Sequence, residues 1–181
     1  MNEIVLQMKQ MRRAMRVYVL MLYEIVLESK PDLILEIGVG QAQSTRTFLS
    51  ALKENGKGKL VSIDLRDRTN RVPEELRPYW HLVVGNSHSK EVFEKVKQFG
   101  QYELLLIDGD HSYKGVKKDF EMYVPLVKDR GLILMHDTVN IREGVKDFWK
   151  EIRYPKVNLE YGSTIYGKGH LIPGMGIIQK I

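Results

Sequence analysis

Two short segments concentrate the ionisable chemistry of this 181-residue chain: IDGDHSY at 107–113 and MHDT at 135–138. Each ends an apolar run, so Asp108, Asp110 and His111 from one segment and His136 and Asp137 from the other converge on one crevice if the runs are neighbouring strands. Such a cluster suits proton transfer, because an imidazole with an ordinary pKa of about 6.5 can take up a proton near neutrality. His111, three residues after Asp108, is the candidate general base. A histidine just before a helix can equally cap it or bond its backbone. His81 and His88 have no comparable company and read as structural or exposed, whereas His170, in a late glycine-rich stretch, is placed to reach a substrate. With no cysteine, disulfides, thiolate metal ligands and a thiol nucleophile are excluded.

Three earlier apolar runs end in residues suited to holding a ligand. LILEI is followed by GVGQAQS, where Gly38 and Gly40 permit a sharp turn and close approach to a ligand, and Ser44 can cap the next helix or meet that ligand. Dinucleotide-binding folds share a G-x-G turn, but Gln43 stands where their third glycine would be. The next run ends in Asp64, a carboxylate able to accept both hydroxyls of a ribose in either kind of cofactor. The third ends in VVGNSHS, where Asn86 pairs a donor with an acceptor, as an adenine edge requires, or else caps the following helix.

The elements that must position these residues alternate. Short apolar runs at 33–37, 59–64, 81–84, 103–108 and 132–136 read as strands buried on both faces of a parallel sheet. Helical periodicity fills the intervals at 44–54, 90–99, 112–124 and 143–152. Before them, Met11, Met15, Tyr18, Leu22 and Ile25 line one stripe of an amphipathic helix that runs to about Glu28 and is stopped by Pro31. Strands at 157–161 and 175–180, joined by a glycine-rich loop with Pro173, are expected to pair antiparallel at one edge. The pattern predicts one domain over 1–181, with an N-terminal helical cap at 1–30 and an α/β core at 31–181.

Apolar residues make up 43% of the chain, enough for a sizeable core. The longest apolar run, residues 17–23, is far short of the ~20 needed to cross a bilayer. Charges throughout the first sixteen residues argue against a secretory leader, so the cytoplasm is the expected compartment. The net charge of +5 and pI near 9.3 allow an anionic partner, but the basic residues are spread out, and Arg12, Arg13 and Arg16 on the first helix are expected to face water.

EIGVG after the first strand, an acid after the second, IDGDHSYKGVKKDF after the fourth and RGLILMHDT after the fifth occur together. With them the chain resembles the class I S-adenosylmethionine-dependent methyltransferases, and within these the small O-methyltransferase-like group related to cephalosporin hydroxylase and macrocin O-methyltransferase proteins. Residues 31–138 carry the resemblance, and IDGDHSY is its most specific part. It implies a Rossmann-like, doubly wound sheet of seven strands, mainly parallel with an antiparallel last strand. It also implies Glu36, Gly38, Gly40 and Ser44 around the methionine part of the cofactor, Asp64 at the ribose, Asn86 and Ser87 at the adenine, and Asp108 beside it. Related O-methyltransferases use a divalent cation, and Asp108 and Asp137 match the positions of its carboxylates, with the third ligand left among His136, Thr138 and Asp110. Oxygen ligands suit Mg²⁺ or Ca²⁺, while a histidine such as His136 among them would admit Mn²⁺, Fe²⁺ or Zn²⁺.

The expected activity is methylation of a hydroxyl on a small-molecule acceptor, with Tyr113, Trp80 and Tyr166 either stacking on an aromatic acceptor or packing. Alternatives are RNA methylation, a non-catalytic S-adenosylmethionine-binding module and, as a poorer rival, a nicotinamide-dependent oxidoreductase. Pairing of two copies through exposed helices or a sheet edge is a further expectation.

Overall fold

Seven strands form one sheet: β1 (Leu33–Ile37), β2 (Lys59–Asp64), β3 (Trp80–Val84), β4 (Tyr102–Ile107), β5 (Val127–His136), β6 (Lys156–Leu159) and β7 (Met175–Gln179). The computed structural model describes residues 14–139, 144–160 and 174–181. Across the sheet the order is β3-β2-β1-β4-β5-β7-β6. The first five strands run parallel, and β7 runs antiparallel to both β5 and β6, the arrangement expected from the sequence.

The helices are α1 (Val19–Ser29), after a 3₁₀ turn at Ala14–Val17, then α2 (Gln43–Asn55), α3 (Lys90–Lys97), α4 (Tyr113–Tyr123) and α5 (Val145–Glu151). They cover both faces, which is why the central strands are apolar throughout instead of alternating. Ile34, Leu60, Leu104 and Leu106 pack with Leu22, Phe48 and Leu52 of α1 and α2. Leu35, Ile37, Val61 and Leu105 pack on the other side with Val92, Val116, Phe120 and Phe148 of α3, α4 and α5.

Of the predicted N-terminal stripe, Met15, Tyr18 and Leu22 are buried, while Met11, Arg12 and Arg13 lie outside the described residues. So do Glu143, Tyr161, Tyr166, His170 and Pro173. Strand β5 starts five residues earlier than its apolar run. Its first half, Lys128 to Gly131, is charged and irregular: Arg130 has φ +65°, and pairing with β4 jumps from Tyr102↔Val127 to Leu104↔Leu132. A bulge of this kind carries no alternating pattern to read. Among the described residues no helix is long and apolar enough to cross a membrane.

The parallel strands all end at the same edge. Gly38, Leu65, Gly85, Asp108 and Asp137 each follow a strand directly, so topology alone gathers them.

Candidate active site

At the end of β1 the chain turns through Gly38 with φ +94°, and Gly38 N donates to the Ile63 carbonyl of β2 at 2.9 Å. A Cβ on Gly38 would lie 2.1 Å from the Asp108 carbonyl oxygen, so the close approach that demands glycine is made by the end of β4. Asp64 secures the turn. Its Oδ2 accepts from Val39 N at 3.1 Å and Gly40 N at 3.0 Å, and its Oδ1 from Arg66 N at 2.9 Å and Arg68 Nε at 3.0 Å. Burial opposes ionisation here, but these donors outweigh it and hold the carboxyl below its ordinary value.

A cavity of about 630 Å³ opens beside this turn. Its walls include Gly38, Gly40, Asp64, Asn86, Ser87 and Asp108, six of the residues expected to surround a cofactor. Leu65, Arg66, Arg68 and His88 also line it, and sequence reasoning does not single them out. One leaves a readable signal: Leu65 is an apolar residue just beyond a strand-end acid and is 72% exposed. Asn86 Oδ1 accepts from His88 N at 2.9 Å, so this side chain builds the turn, while Ser89 takes the capping role by accepting from Val92 N at the start of α3. The Ser87 carbonyl accepts from the Tyr123 hydroxyl at 2.7 Å.

Glu36 and Ser44 do not line this cavity. Both are buried, and Ser44 Oγ donates to Glu36 Oε1 at 2.6 Å. Thr45 Oγ1 and Ser62 Oγ donate to Glu36 Oε2 at 2.8 and 2.7 Å, and Trp80 Nε1 donates to Ser62 Oγ at 2.9 Å, so Trp80 packs here. Three hydroxyls and a carboxyl thus tie β1, β2 and the start of α2 together behind the glycine turn.

Burial pushes the Glu36 carboxyl up from 4.5 to about 7. With the folded value above the unfolded one, its contribution to stability is fully present below pH 4.5 and is lost as the pH rises to about 7. Glu36→Gln cannot ionise. Denaturation at pH 4.5 and 7.5 should therefore show wild type losing on the order of 3 kcal/mol that the variant keeps, since each tenfold change in proton affinity on folding corresponds to about 1.36 kcal/mol. Parallel pH profiles for the two proteins would contradict this account.

The acid and imidazole cluster forms where β4 and β5 end. Asp108 Oδ1 lies 3.1 Å from His136 Nδ1 and 3.3 Å from His111 Nε2. Asp137 Oδ2 lies 3.1 Å from His136 Nδ1 and 3.2 Å from His111 Nδ1. Burial opposes charge on Asp108, but the two imidazoles outweigh it and hold its carboxyl far below the usual range. Burial would likewise lower His136, yet Asp108 and then Asp137 push it up to about 10. His136 is only 5% exposed, its Nε2 is enclosed with no hydrogen-bond partner among the described residues, and the Tyr18 ring stands edge-on at 6.0 Å.

Asp108, His111 and Asp137 each present one ligand atom, all within 4.8 Å of one another. His136 stands behind this trio. The other two candidates for a third ligand are occupied elsewhere: Thr138 Oγ1 donates to Asn158 Oδ1 at 2.5 Å, and Asp110 Oδ1 accepts from Ser112 N at 2.8 Å. Capping of α4 falls to Ser112, whose Oγ accepts from Gly115 N at 3.0 Å, and this frees the His111 ring to face the two carboxylates. Tyr113 points away, donating to Glu151 and packing on Phe148, and His81 stacks on Phe99.

Residues 35–138, more than half of the chain, match the model of a family described as a methyltransferase domain. An uncharacterized protein, y4gI of Sinorhizobium fredii, is 39% identical over 84 residues, a stretch that spans 44% of this chain and 9% of that protein. Among solved structures, an O-methyltransferase from Bacillus cereus in complex with SAH superposes with a TM-score of 0.72 at 13% identity, over 99% of this chain and 92% of that one. TomG, an O-methyltransferase from Streptomyces achromogenes solved with SAM, gives 0.72 at 14% identity, over 100% and 91%. MycE, a methyltransferase of the mycinamycin pathway solved with Mg and SAH, gives 0.61 at 11% identity, over 99% and 55%. At these identities the structural likenesses establish the fold.

Proposed function

The chain belongs to the methyltransferase-domain family, and on that premise we propose that it transfers the methyl group of S-adenosylmethionine to a hydroxyl of a small-molecule acceptor, with a divalent cation held by Asp108, His111 and Asp137. One observation carries the reading: Asp108 belongs both to the wall of the cavity and to the trio of ligand atoms, so a cofactor in one would abut a cation in the other. Both groups fit the residues present. The cavity offers a strand-end acid, a glycine turn and an apolar Leu65, and the trio offers two carboxylates, which suit Mg²⁺, and an imidazole, which admits Mn²⁺, Fe²⁺ or Zn²⁺. MycE, solved with Mg, SAH and mycinamycin VI, supports a small molecule as acceptor.

S-adenosylmethionine brings a methyl on a sulfonium, and a divalent cation supplies positive charge that lowers the pKa of a nearby hydroxyl. The chain's own residues hold the reacting groups in line, which is where most of the protein's contribution to such a displacement lies. Asp64, with Arg68 alongside, would hold the ribose, and Leu65 and the 85–88 turn would enclose the adenine end. The His111 ring has a carboxylate at each nitrogen, Asp108 at Nε2 and Asp137 at Nδ1. This arrangement supports a ligand role for His111 over the general-base role its sequence position allows.

Calorimetry with S-adenosylhomocysteine tests the cofactor half. Wild type should bind, and Asp64→Ala should bind about 10- to 100-fold more weakly, since hydrogen bonds to a charged group contribute roughly 1.5–3 kcal/mol. Absence of binding to wild type would sink the proposal.

A further inference from the structure

The two edges of the sheet, β3 and β6, are protected differently. β6 is short, carries Lys156 and lies between Pro155 and Glu160, features that keep an exposed strand from pairing with another chain. β3 has none of them. Residues 79–89 contain no Asp, Glu, Lys, Arg or Pro, in a chain of which 28% is charged. Val84 is 48% exposed, and Phe99, which stacks on His81 beside the strand, is 40% exposed. Leu65 follows Asp64, the β2 partner of Val84, so three of the five large apolar side chains exposed among the described residues gather at this edge.

Only half of the β3 main chain is used by the sheet. Gly85 N donates to the Asp64 carbonyl of β2, and alternate residues of a strand turn their main-chain groups to opposite sides, so those of Trp80, Leu82 and Val84 face outward. The Trp80 N–H is taken by the Arg77 carbonyl. The Trp80 carbonyl and both groups of Leu82 and Val84 have no hydrogen bond within the described residues. A two-fold axis through Leu82 satisfies this row with a second copy of itself: Leu82 exchanges both bonds with its counterpart, and Val84 N–H meets the Trp80 carbonyl. The bulky Trp80 then stands opposite the smaller Val84. Helix α3 flanks the same edge. Phe93 turns inward onto Tyr123 of α4, with ring centroids 5.6 Å apart, so Glu91 and Lys95, each about 200° around the helix from it, turn toward the β3 side. These two pair with each other at 2.7 Å. The same axis sets the two α3 helices antiparallel, so Glu91 of each copy would face Lys95 of the other.

We propose that β3 pairs antiparallel with β3 of a second copy, giving a homodimer whose sheet is continuous across both chains and whose α3 helices lie side by side. A second copy fits this edge because the strand is neutral and the charges that flank it complement themselves under the two-fold axis. The proposal is independent of the cofactor and of the cation.

Sedimentation velocity on the whole chain should show a dimer at about 10 μM that dissociates on dilution. Val84→Lys places a charge within the paired edge of both copies and should raise the dimer dissociation constant at least about 100-fold. Glu91→Lys sets like charges against each other and should weaken the dimer about 10-fold, and Glu91→Lys/Lys95→Glu should return it to within about 3-fold of wild type. Val84, Glu91 and Lys95 are all exposed, so the fold is kept. Amide exchange reads the contact itself: the outward Leu82 N–H should be protected in the wild-type dimer and exchange freely in Val84→Lys. Wild type that stays monomeric, so that the edge is left to a foreign strand, would overturn the proposal. So would a dimer indifferent to Val84→Lys, a charge exchange that restores nothing, or an unprotected Leu82 amide in the dimer.

Discussion

Asp137→Asn should reduce the affinity for Mn²⁺ at least about 100-fold and, with it, formation of S-adenosylhomocysteine from S-adenosylmethionine in the presence of a panel of hydroxyl-bearing small molecules. The size follows from the role: partners that merely orient metal ligands are worth roughly 10–100-fold in affinity or activity, and a direct carboxylate ligand is worth no less. The substitution is also clean. Asp137 sits at φ +63°, a conformation that asparagine tolerates better than most side chains, so the backbone after β5 is kept. Its volume is unchanged, and His136 keeps a charged partner in Asp108 at 3.1 Å, so no uncompensated charge is left buried. Asp137 is not part of the cavity wall, and S-adenosylhomocysteine should therefore bind the variant within about 3-fold of wild type. Titration with Mn²⁺, followed by calorimetry or by the loss of its paramagnetic signal, separates the outcomes. Equal Mn²⁺ affinity in variant and wild type would remove Asp137 from the site, and no Mn²⁺ or Mg²⁺ binding by wild type would remove the cation.

The division between what the sequence carries and what it conceals is visible within this one site. Strand ends are legible because five parallel strands buried on both faces leave uninterrupted apolar runs, and Asp64, Asp108 and Asp137 stand at or just after those runs by simple counting. The direction in which each side chain turns is not legible. Asp108, Asp110 and His111 look interchangeable in IDGDHSY, yet Asp110 is drawn to the Ser112 amide while Asp108 and His111 meet Asp137. Likewise His136 and His111 each adjoin an acid, but His136 ends β5 and is buried with the Tyr18 ring edge-on to it, whereas His111 stands in a turn with its side chain 36% exposed. Glu36 shows the same limit. A strand-end acid beside a glycine turn fits a ligand contact, and three hydroxyls from two segments, at 44 and 45 and at 62, have to arrive in space before its structural role can be seen. The specificity of IDGDHSYKGVKKDF also has a physical basis. A Cβ on Gly115 would fall 2.1 Å from the Asp110 side chain, so a small residue is needed where the turn folds onto α4.

Gly38→Ala should prevent or severely impair folding, whereas Gly40→Ala should cost only about 1–2 kcal/mol. In sequence the two glycines of GVG are equivalent, and both have positive φ, +94° and +51°. Around Gly40 nothing lies within 4 Å of the added methyl, so alanine there meets only the intrinsic penalty of a left-handed backbone, roughly 1–2 kcal/mol. At Gly38 the methyl would stand 2.1 Å from the carbonyl oxygen and 2.7 Å from the carbonyl carbon of Asp108. Those are backbone atoms and cannot rotate aside. Relief would require β1 and β4, paired in register from Ile34↔Leu104 to Ile37↔Ile107 at the centre of the sheet, to part at the end that carries Asp108. An overpacking clash against main chain belongs among the few substitutions that exceed about 4 kcal/mol. Urea denaturation and soluble yield measure the contrast, and calorimetry with S-adenosylhomocysteine adds a second reading, since any folded Gly38→Ala protein should bind weakly while Gly40→Ala retains most of its affinity. Equal stability of the two variants would mean that the turn, and not the approach of β4, is what demands glycine at position 38. Should the contrast hold, the first glycine of the G-x-G signature reports in this chain chiefly how two strand ends meet.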